Sequence, residues 1–324
     1  MRRLTRMLCG AALLGPYATG SAAAQGYPAR AVRVIIPFAP GGGTDNLTRI
    51  MAPRMTELLG QQIVIDNRAG ASGQIGTELA VRAAPDGYTI VHVDTSFTSN
   101  PSLYPKLPYD PIRDFTPISL LASAPVVLII HPSVPVKTLK ELMALAKARP
   151  GELNFATGGA GSATHLGVEL FKAAAKIDLV HIPYKGSGPA AAAVLAGQVV
   201  MMFASPSATK PHVVAGKLRA IAITGEKRNA GFPEIPTFVE SGLPGVDSGT
   251  YWVSLAPAAT PRDVINTLSS AMSKVLQMPG IRQRLIDLGF DPIGSTPDEC
   301  AANIRGEIAK WARVIKEAKI RPEQ

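Results

Sequence analysis

Cysteine is scarce in this sequence. Two of the 324 residues are cysteines, Cys9 and Cys300, and Cys9 lies in an N-terminal segment with the pattern of a removable export signal. The mature chain then keeps one cysteine, which excludes an intramolecular disulfide. A chain of about 300 residues buries enough surface to fold without such a cross-link, so its stability must come from packing.

Long hydrophobic runs are also missing. No stretch reaches the ~18 uninterrupted apolar residues of a transmembrane helix. At the N-terminus, Arg2, Arg3 and Arg6 precede a short apolar core, and a run of three alanines then supplies a small-residue cleavage signal. Residues 1–24 are therefore predicted to be a secretory signal peptide, with cleavage at its end and export of the mature protein.

The motifs of common enzyme classes are absent. Two glycine-rich loops occur, but Asn46 and Thr164 stand where the dinucleotide-binding fingerprint G-x-G-x-x-G needs its third glycine, and no G-x-x-x-x-G-K-[ST] is present. No G-x-S-x-G nucleophile motif surrounds Ser72, Ser162 or Ser187. The sequence thus predicts no catalytic residue and no cofactor.

The five histidines are scattered, with no H-x-x-x-H pair and no neighbouring cysteine. We therefore expect no metal site. Folding can still bring His165 and His181 together as candidates for a general base. A hydrogen-bonded structural role is the simpler interpretation of a histidine beside an apolar helix face.

Positive charge is in excess but dispersed. The formal net charge of +9 falls to +6 when residues 1–24, which hold three arginines and no acidic residue, are removed. Aromatic residues make up only 6% of the chain, and no basic block is interleaved with them. A nucleic-acid partner is therefore not expected, and the charge is predicted to lie on a solvated surface.

Strand-like and helical segments alternate along the mature chain, which predicts an α/β architecture with largely parallel sheets. The predicted strands are Val32–Phe38, Ile63–Asn67, Thr89–Val93, Val126–His131, Leu153–Ala156, Leu179–Pro183, Val199–Ala204, Leu218–Thr224 and Tyr251–Pro257. Helices are expected to fill the gaps.

Several helix boundaries carry their own signals. The apolar residues within 45–59 recur with a 3.6-residue period. Thr138 and Glu141 have the spacing of a capping box. Thr260-Pro261 and Thr296-Pro297 each place a cap residue before a proline suited to the first helical turn, so they predict the starts of two long C-terminal helices.

The stretch from Val32 to Asp45 is the most informative. A strand breaks into Pro-Gly-Gly-Gly-Thr and a helix follows, so the main chain can approach a ligand closely, while free N–H groups and the positive end of the helix dipole point at it. A carboxylate or a phosphate suits such a site. The alternative is an ordinary strand-to-helix turn capped by Thr44 or Asp45.

The same device recurs more than a hundred residues later. A short strand ends at Thr157 in the sequence Gly-Gly-Ala-Gly-Ser, and a helical pattern that includes His165 follows. Two loops suited to anions, so far apart in the chain, predict two lobes that face one cleft.

Short motifs occur in a fixed order along the mature chain. They are PFAPGGGTD at 37–45, NRAGASG at 67–73, PDGYT at 85–89, PYKG at 183–186, AGQV at 196–199 and GKLRA at 216–220. Their order and spacing resemble those of the extracytoplasmic solute receptors of tripartite tricarboxylate transporters, the group of the citrate receptor TctC and the Bordetella Bug proteins.

The resemblance implies a two-lobed periplasmic-binding-protein fold, type II-like, with a mainly parallel sheet flanked by helices in each lobe. We expect lobe one to comprise residues 25–124 and 230–324, and lobe two residues 125–229, with the return to lobe one open within about 225–250. The resemblance further implies a periplasmic monomer that captures a small carboxylate between the lobes. The large and small permease subunits of a membrane transporter would then receive the ligand, and neither cofactor nor metal is implied.

Backbone donors are the expected means of holding the carboxylate. Gly42, Gly43 and Thr44 are predicted to donate, and Asp45 to hold their loop. The other predicted ligand-binding residues are Phe38 as a wall, Ser72, Gly73, Thr95 and Ser96 at the same edge of the first sheet, and Thr157, Ala160, Gly161, Ser162 and His165 from the second lobe. Lys185 is expected to be solvated or to assist lobe closure.

Lobe two departs from the family pattern at two places. Alanines occupy 190–193, where many relatives carry an acidic residue, and Ala204 and Ser205 follow a strand at which many carry Asp or Gly. Both departures remove polar groups near the expected cleft, which indicates a ligand that is less highly functionalised or more apolar than an amino acid.

Two other functions remain open on sequence alone. One is a sensor that reports ligand occupancy to a two-component system. The sequence does not separate such a sensor from a transport receptor. The other is a secreted α/β enzyme with His165 or His181 as its base. Because no nucleophile, metal or cofactor motif accompanies these histidines, the sequence favours a receptor.

Overall fold

The computed structural model describes residues 26–321, which form two lobes. The strands are β1 (Val32–Ile36), β2 (Ile63–Asn67), β3 (Thr89–Val93), β4 (Phe115–Pro125), β5 (Val127–Ile130), β6 (Asn154–Thr157), β7 (Val180–Pro183), β8 (Met201–Ala204), β9 (Arg219–Ile223), β10 (Gly249–Pro257) and β11 (Asp291–Pro292). The helices are α1 (Gly43–Leu59), α2 (Gln74–Val81), α3 (Ser96–Leu103), α4 (Leu139–Ala148), α5 (Ala163–Ala175), α6 (Ser187–Leu195), α7 (Pro206–Val214), α8 (Arg262–Gln277), α9 (Pro279–Asp287) and α10 (Pro297–Glu317). The predicted signal peptide lies outside the described residues.

Each lobe contains one sheet. The strand order is β11-β4-β10-β3-β1-β2 in lobe one and β7-β6-β8-β5-β9 in lobe two. In each sheet three neighbouring strands run parallel, β2-β1-β3 and β7-β6-β8, and every remaining strand pairs antiparallel with its neighbours. The sheets are thus mixed, whereas the sequence predicted mainly parallel ones. The reason is that β5 and β10 are each entered directly from the other lobe rather than through a crossover helix.

The two lobes repeat one supersecondary unit. β1-α1-β2-α2-β3 corresponds to β6-α5-β7-α6-β8, and in both cases the first strand is the centre of the parallel trio. The two glycine-rich loops directly follow β1 and β6. They therefore occupy equivalent places at the carboxyl ends of parallel strands, where open α/β sheets bind ligands.

Alternating side chains of the strands supply two apolar faces to each sheet. In lobe one, α1 and α8 cover one face around Trp252, and α10 covers the other around Ile304. In lobe two, Phe155 and Phe203 face α4 and α5, while α6 packs on the opposite side. The end of α10 also reaches lobe two, because Trp311 packs in a cluster with Leu166 of α5.

The second lobe extends further along the chain than expected. The chain leaves lobe one between β4 and β5, but the segment after β9 stays with lobe two. Phe232, Ile235, Phe238 and Val246 all pack into the lobe-two clusters, and the chain returns to lobe one at Gly249, where β10 begins. Lobe two in the structure therefore runs to about residue 248 rather than 229.

Strand β4 was not predicted. Its sequence, FTPISLLASAP, contains Pro117 and ends at Pro125, and proline is unfavourable inside a sheet. Pro117 is accommodated because β11 pairs with β4 only at Ala122 and Ser123, so that side of the strand is open at Pro117.

The predicted helix caps differ in their outcome. Thr296 forms a full capping box with Glu299 at the start of α10, as expected. The hydroxyl of Thr138 accepts from Glu141 N at 3.2 Å, but the Glu141 carboxylate accepts from Lys137 N at 2.6 Å. Thr260 is not the cap of α8, because its hydroxyl donates instead to the carbonyl of Pro257 at 2.7 Å.

None of the helices within residues 26–321 combines the length and the apolar character needed to cross a bilayer. Cys300 is buried on α10, and burial raises the pKa of its thiol to about 12. It is therefore an unreactive core residue.

Candidate ligand-binding cleft

The loop after β1 is held by the carboxylate of Asp45. Oδ2 of Asp45 accepts hydrogen bonds from Gly41 N at 3.0 Å and from Arg49 Nε at 2.8 Å, and Oδ1 accepts from Asn67 Nδ2 at 3.1 Å. Burial alone would raise the pKa of Asp45, but these hydrogen bonds outweigh it and lower the pKa. Asp45 is thus an ionised, fully engaged residue that shapes the loop, which is the role the sequence suggested.

The N-terminal amides of α1 face the space between the lobes. Gly42 precedes the helix in an extended conformation (φ −81°, ψ 176°) and has no side chain to cap it. The first N–H groups of a helix have no acceptor within the helix, so those of Gly42, Gly43 and Thr44 are suited to an external anion. Trp252 Nε1 donates to the Thr44 hydroxyl at 3.0 Å, which fixes the helix start against β10.

The loop after β6 uses most of its amides internally. Gly158 N donates to Thr164 Oγ1 at 3.0 Å, and Gly161 N donates to His165 Nδ1 at 3.1 Å. The hydroxyl of Ser162 donates to the carbonyl of Gly159 at 2.7 Å. The amide of Gly161, predicted to hold the ligand, is therefore already occupied by His165.

His165 and His181 do come together, but beneath the loop rather than in the cleft. Their rings stack with centroids 4.5 Å apart, and His181 also stacks on Phe155 at 4.8 Å. Burial lowers the pKa of His165 to about 4 and that of His181 to about 3. Both imidazoles are therefore neutral near pH 7, and Thr157 is bound to His181 Nε2 at 2.6 Å.

A second loop of lobe one has a strained conformation. Ala71 and Ser72 have φ of 46° and 52°, between Gly70 and Gly73 at 144° and 85°. Asn100 Nδ2 donates to the carbonyl of Ser72 at 3.1 Å and so supports this left-handed turn. Residues with side chains adopt such angles at a cost of the order of 1–3 kcal/mol, and they cluster at ligand-binding sites.

The lobes are in contact across the cleft. Ala39 N donates to the carbonyl of Lys185 at 2.9 Å, and the buried hydroxyl of Ser99 donates to the carbonyl of Gly161 at 2.6 Å. Each bond joins a residue of lobe one to a loop of lobe two. The structure is therefore the closed form.

Two adjoining cavities lie between the closed lobes. The small cavity, of about 20 Å³, is lined by Phe38, Gly42, Gly43, Thr44, Asp45, Asp94, Gly158, Ser162, Ala163, Thr164, Gly186, Ser187, Ser205, Thr250 and Trp252. The large cavity, of about 190 Å³, is lined by Phe38, Gly70, Ala71, Ser72, Gly73, Gly158, Gly159, Ala160, Pro183, Tyr184 and Lys185. Phe38 and Gly158 border both cavities, so the two spaces lie side by side.

Helix N-termini converge on the small cavity. Its lining includes the first residues of α1, the cap Ser162 of α5, the first residue Ser187 of α6 and the cap Ser205 of α7. Each helix contributes roughly half a positive charge at this end. None of the described residues that line this cavity is a lysine or an arginine, so the backbone supplies its attraction for an anion.

The structure divides the predicted site residues into two groups. Those that line a cavity are Phe38, Gly42, Gly43, Thr44, Asp45, Ser72, Gly73, Ala160 and Ser162. Those that line neither are Thr95, Ser96, Thr157, Gly161 and His165.

The second group has structural partners. The hydroxyl of Thr95 donates to Gly249 O at 3.2 Å and accepts from Tyr251 N at 3.0 Å, so it ties α3 to β10. Ser96 binds the carboxylate of Asp94. Thr95 and Ser96 therefore support the residues around the cleft without lining it. They lie at the carboxyl end of β3, but their side chains bond to other parts of lobe one.

Sequence reasoning missed several lining residues, among them Asp94, Tyr184, Ser187 and Ser205. Asp94 carried a usable signal, since it directly follows β3 at the ligand-binding edge of the sheet. Ser187 and Ser205 begin helices after β7 and β8 of the second repeat unit. The repeat itself therefore could have located them. Within residues 26–321 no three acidic, histidine or cysteine side chains are grouped to hold a metal ion.

Comparisons with known proteins agree with this architecture. Protein BugT of Bordetella pertussis is 38% identical over 296 residues, which cover 91% of each chain. Two solved structures each have a TM-score of 0.89 and 34% identity, and cover 92% of this chain and 100% of their own. They are the periplasmic binding protein BugD and an R. palustris protein determined with adipate. The predicted periplasmic-binding-protein fold is thereby confirmed.

A family model covers most of the chain. The model for the tripartite tricarboxylate transporter family receptor, TctC, matches residues 47–320. The match begins just after the loop that follows β1 and includes the rest of both lobes. This chain therefore belongs to the TctC family of tripartite tricarboxylate transporter receptors.

Proposed function

We propose that this protein is a periplasmic receptor that captures a small carboxylate between its lobes and delivers it to the two permease subunits of a tripartite transporter. The carboxylate accepts hydrogen bonds from the backbone N–H groups of Gly42, Gly43 and Thr44. No catalytic step is part of this role, and closure of the lobes is the event that the permease recognises.

The convergence of helix N-termini on a cavity without lysine or arginine carries this proposal. Such a site attracts an anion through fixed backbone dipoles that need no reorganisation on binding. The similar R. palustris structure with adipate supports a carboxylate as the anion. A charge-assisted hydrogen bond in a sheltered site contributes about 1.5–3 kcal/mol, so three backbone donors supply a large part of the ~8 kcal/mol that micromolar binding requires.

Periplasmic location rests on the predicted signal peptide and on the likeness to a periplasmic binding protein. Delivery to a permease rests on family membership. Deletion of the gene should abolish uptake of the identified ligand by cells, and a copy that carries a cleft substitution should not restore it.

A thermal-shift screen of the mature protein tests binding. Mono-, di- and aromatic carboxylates are compared with the primary amide of each acid, which keeps its shape but loses its charge. We expect the melting temperature to rise with the logarithm of carboxylate concentration, and the amides to have no effect. Calorimetry should give one ligand per chain. Stabilisation by neutral sugars or cations but not by carboxylates would contradict the proposed ligand class.

A further inference from the structure

We propose that Asp94 selects carboxylates that bear a hydroxyl or ammonium group. This inference rests on the carboxylate binding proposed above. Asp94 accepts a hydrogen bond from that group in the small cavity. The ligand is thus a substituted carboxylate, and a plain carboxylate of the same carbon skeleton is disfavoured.

The carboxylate of Asp94 is held in one orientation. Its Oδ1 accepts from Ser96 N at 2.9 Å and from the Ser96 hydroxyl at 2.6 Å, at the start of α3. Both bonds fall on the same oxygen, which leaves Oδ2 for a ligand. The side chain borders the small cavity together with Gly42, Gly43 and Thr44, so the acceptor lies beside the proposed carboxylate donors.

The unoccupied Oδ2 of Asp94 determines which ligands are preferred. The other acidic residue of the cavity, Asp45, is bound by Arg49, but no basic side chain lines the cavity to neutralise Asp94. Burial raises the pKa of Asp94, partly opposed by its hydrogen bonds from Ser96. A carboxylate that brings no donor leaves Oδ2 of Asp94 without a hydrogen-bond partner in the closed cleft. A hydroxyl or ammonium group supplies the missing donor.

The size of the cavity limits what reaches Asp94. A volume of about 20 Å³ has room for little more than one water-sized polar group. The remaining carbon skeleton extends past Phe38 into the large cavity of about 190 Å³. The sequence placed the alanines at 190–193 and Ala204 near the cleft, but Ala190, Ala191, Ala193 and Ala204 pack in a core cluster of lobe two and line neither cavity. The polar requirement proposed here comes from Asp94 on the lobe-one side.

Matched ligand series test the proposal. Propionate, lactate and alanine differ only in a hydrogen, hydroxyl or ammonium group, and so do succinate, malate and aspartate. Calorimetry with the mature protein should show, in any series that binds, at least tenfold tighter binding of a substituted member than of the plain one. The hydroxyl and ammonium arms identify which donor is used.

Asp94→Asn keeps an acceptor for Ser96 but presents N–H donors in place of Oδ2. We expect it to weaken binding of the preferred member at least tenfold and to leave or improve binding of the plain member. Asp291→Asn is the matched control, because burial also raises the pKa of Asp291 yet it lies outside both cavities. It should leave all affinities within about twofold, or ~0.4 kcal/mol.

Two outcomes overturn the proposal. Equal binding of plain and substituted members by the wild-type protein contradicts it, and so does an Asp94→Asn variant that weakens every member by the same factor. In both cases carboxylate binding itself stands. A protein that binds no carboxylate in this or the broader screen contradicts the proposed function, and the inference falls with it.

Discussion

The amide of Gly161 donates a 3.1 Å hydrogen bond to Nδ1 of His165. The acceptor nitrogen must be unprotonated, so the bond requires a neutral imidazole. His165 is itself buried, and its ring stacks on His181. The loop that forms one wall of the cleft thus depends on a histidine that lines neither cavity.

This bond predicts a dependence of stability on pH. The unfolded chain binds a proton at His165 near pH 6.5, whereas in the folded protein burial lowers the pKa to about 4. The contribution is fully present above pH 6.5 and is lost as the pH falls from 6.5 to about 4. The loss for this group is about 3 kcal/mol. His92 and His181, with pKa values lowered by burial to about 3, add to the effect.

Urea denaturation between pH 8 and 4.5 measures this dependence of stability on pH. We expect the free energy of unfolding to fall over this range, and His165→Gln, which offers Gly161 an oxygen acceptor that does not titrate, to reduce the slope. His212→Gln, at a partly exposed position on α7, serves as the control. An unchanged slope in His165→Gln would show that His165 is not neutral in the fold.

A second prediction concerns Gly43, where α1 begins. A Cβ added at Gly43 would overlap the ring of Trp252 and lie 2.8 Å from Ser205 Oγ. Because Trp252 is buried and bound to Thr44, the ring cannot move aside without cost. Gly43→Ala should therefore lower the free energy of unfolding by roughly 1–3 kcal/mol.

The control for this change is Gly306→Ala in α10. An added Cβ at Gly306 meets nothing within 4 Å, so the substitution should stabilise the helix by about 0.5–1 kcal/mol. Denaturant titration of both variants measures these changes in the free energy of unfolding. If Gly43→Ala were as stable as the wild type, close contact between α1 and β10 would not require glycine there.

Much of the fold could be predicted because its signals are local. The strand at Val32–Ile36, the loop after it and the period of α1 were all visible in the sequence. Strand β4 was not, because Pro117 within it argues against a strand, and because its pairing with β10 joins residues that are far apart in the chain. The return to lobe one near Gly249 was missed for a similar reason, since only tertiary packing places Phe238 in lobe two.

The site was harder to predict than the fold. Glycine loops identify where the backbone is free to bind, but not which amides are already used. Gly161 and Gly42 look alike in sequence, yet the first is bound to His165 and the second opens into the cavity. Asp94 escaped notice because a single acid after a strand is common. Its importance comes from the lack of a basic partner in the cavity lining.

A third prediction concerns lobe closure. The bond from Ser99 Oγ to the carbonyl of Gly161 exists only when the lobes meet. In Ser99→Ala the carbonyl is buried without this donor in the closed form and hydrated in the open form. Closure should then cost about 1–3 kcal/mol more, which weakens ligand binding roughly 5- to 150-fold.

Thr98→Ala is the matched control on the same helix, because the hydroxyl of Thr98 bonds only to Thr95 O within its own lobe. Calorimetry gives the affinities, and small-angle scattering of the ligand-free variants gives the radius of gyration, which should increase for Ser99→Ala alone. Equal affinities in both variants would argue that Ser99 has no part in closure.

A fourth prediction concerns export. Residues 1–24 should be removed on secretion, with the mature chain starting at Gln25 and found in the soluble periplasmic fraction. Intact-mass measurement of that fraction checks this expectation. A product that keeps residues 1–24 or remains with the membrane would contradict it.

The last prediction separates recognition by the backbone from recognition by charge. Gly42 has a φ of −81°, which any residue can adopt, and a Cβ there would lie 3.7 Å from Ser187 N and 3.9 Å from Gly188 N. A side chain at this position is therefore compatible with the fold but covers the donors of α1 and α6. Gly42→Val should abolish carboxylate binding with only a modest loss of stability.

Lys185 provides the comparison. Its side chain is exposed at the edge of the large cavity, and its carbonyl, which accepts from Ala39 N, is unaffected by truncation. Lys185→Ala removes a full positive charge but should weaken binding less than about tenfold, or ~1.4 kcal/mol. Calorimetry on both variants decides between the mechanisms. Should Lys185→Ala prove crippling while Gly42→Val still binds, the ligand is held by a salt bridge, and the helix N-termini do not provide the anion site.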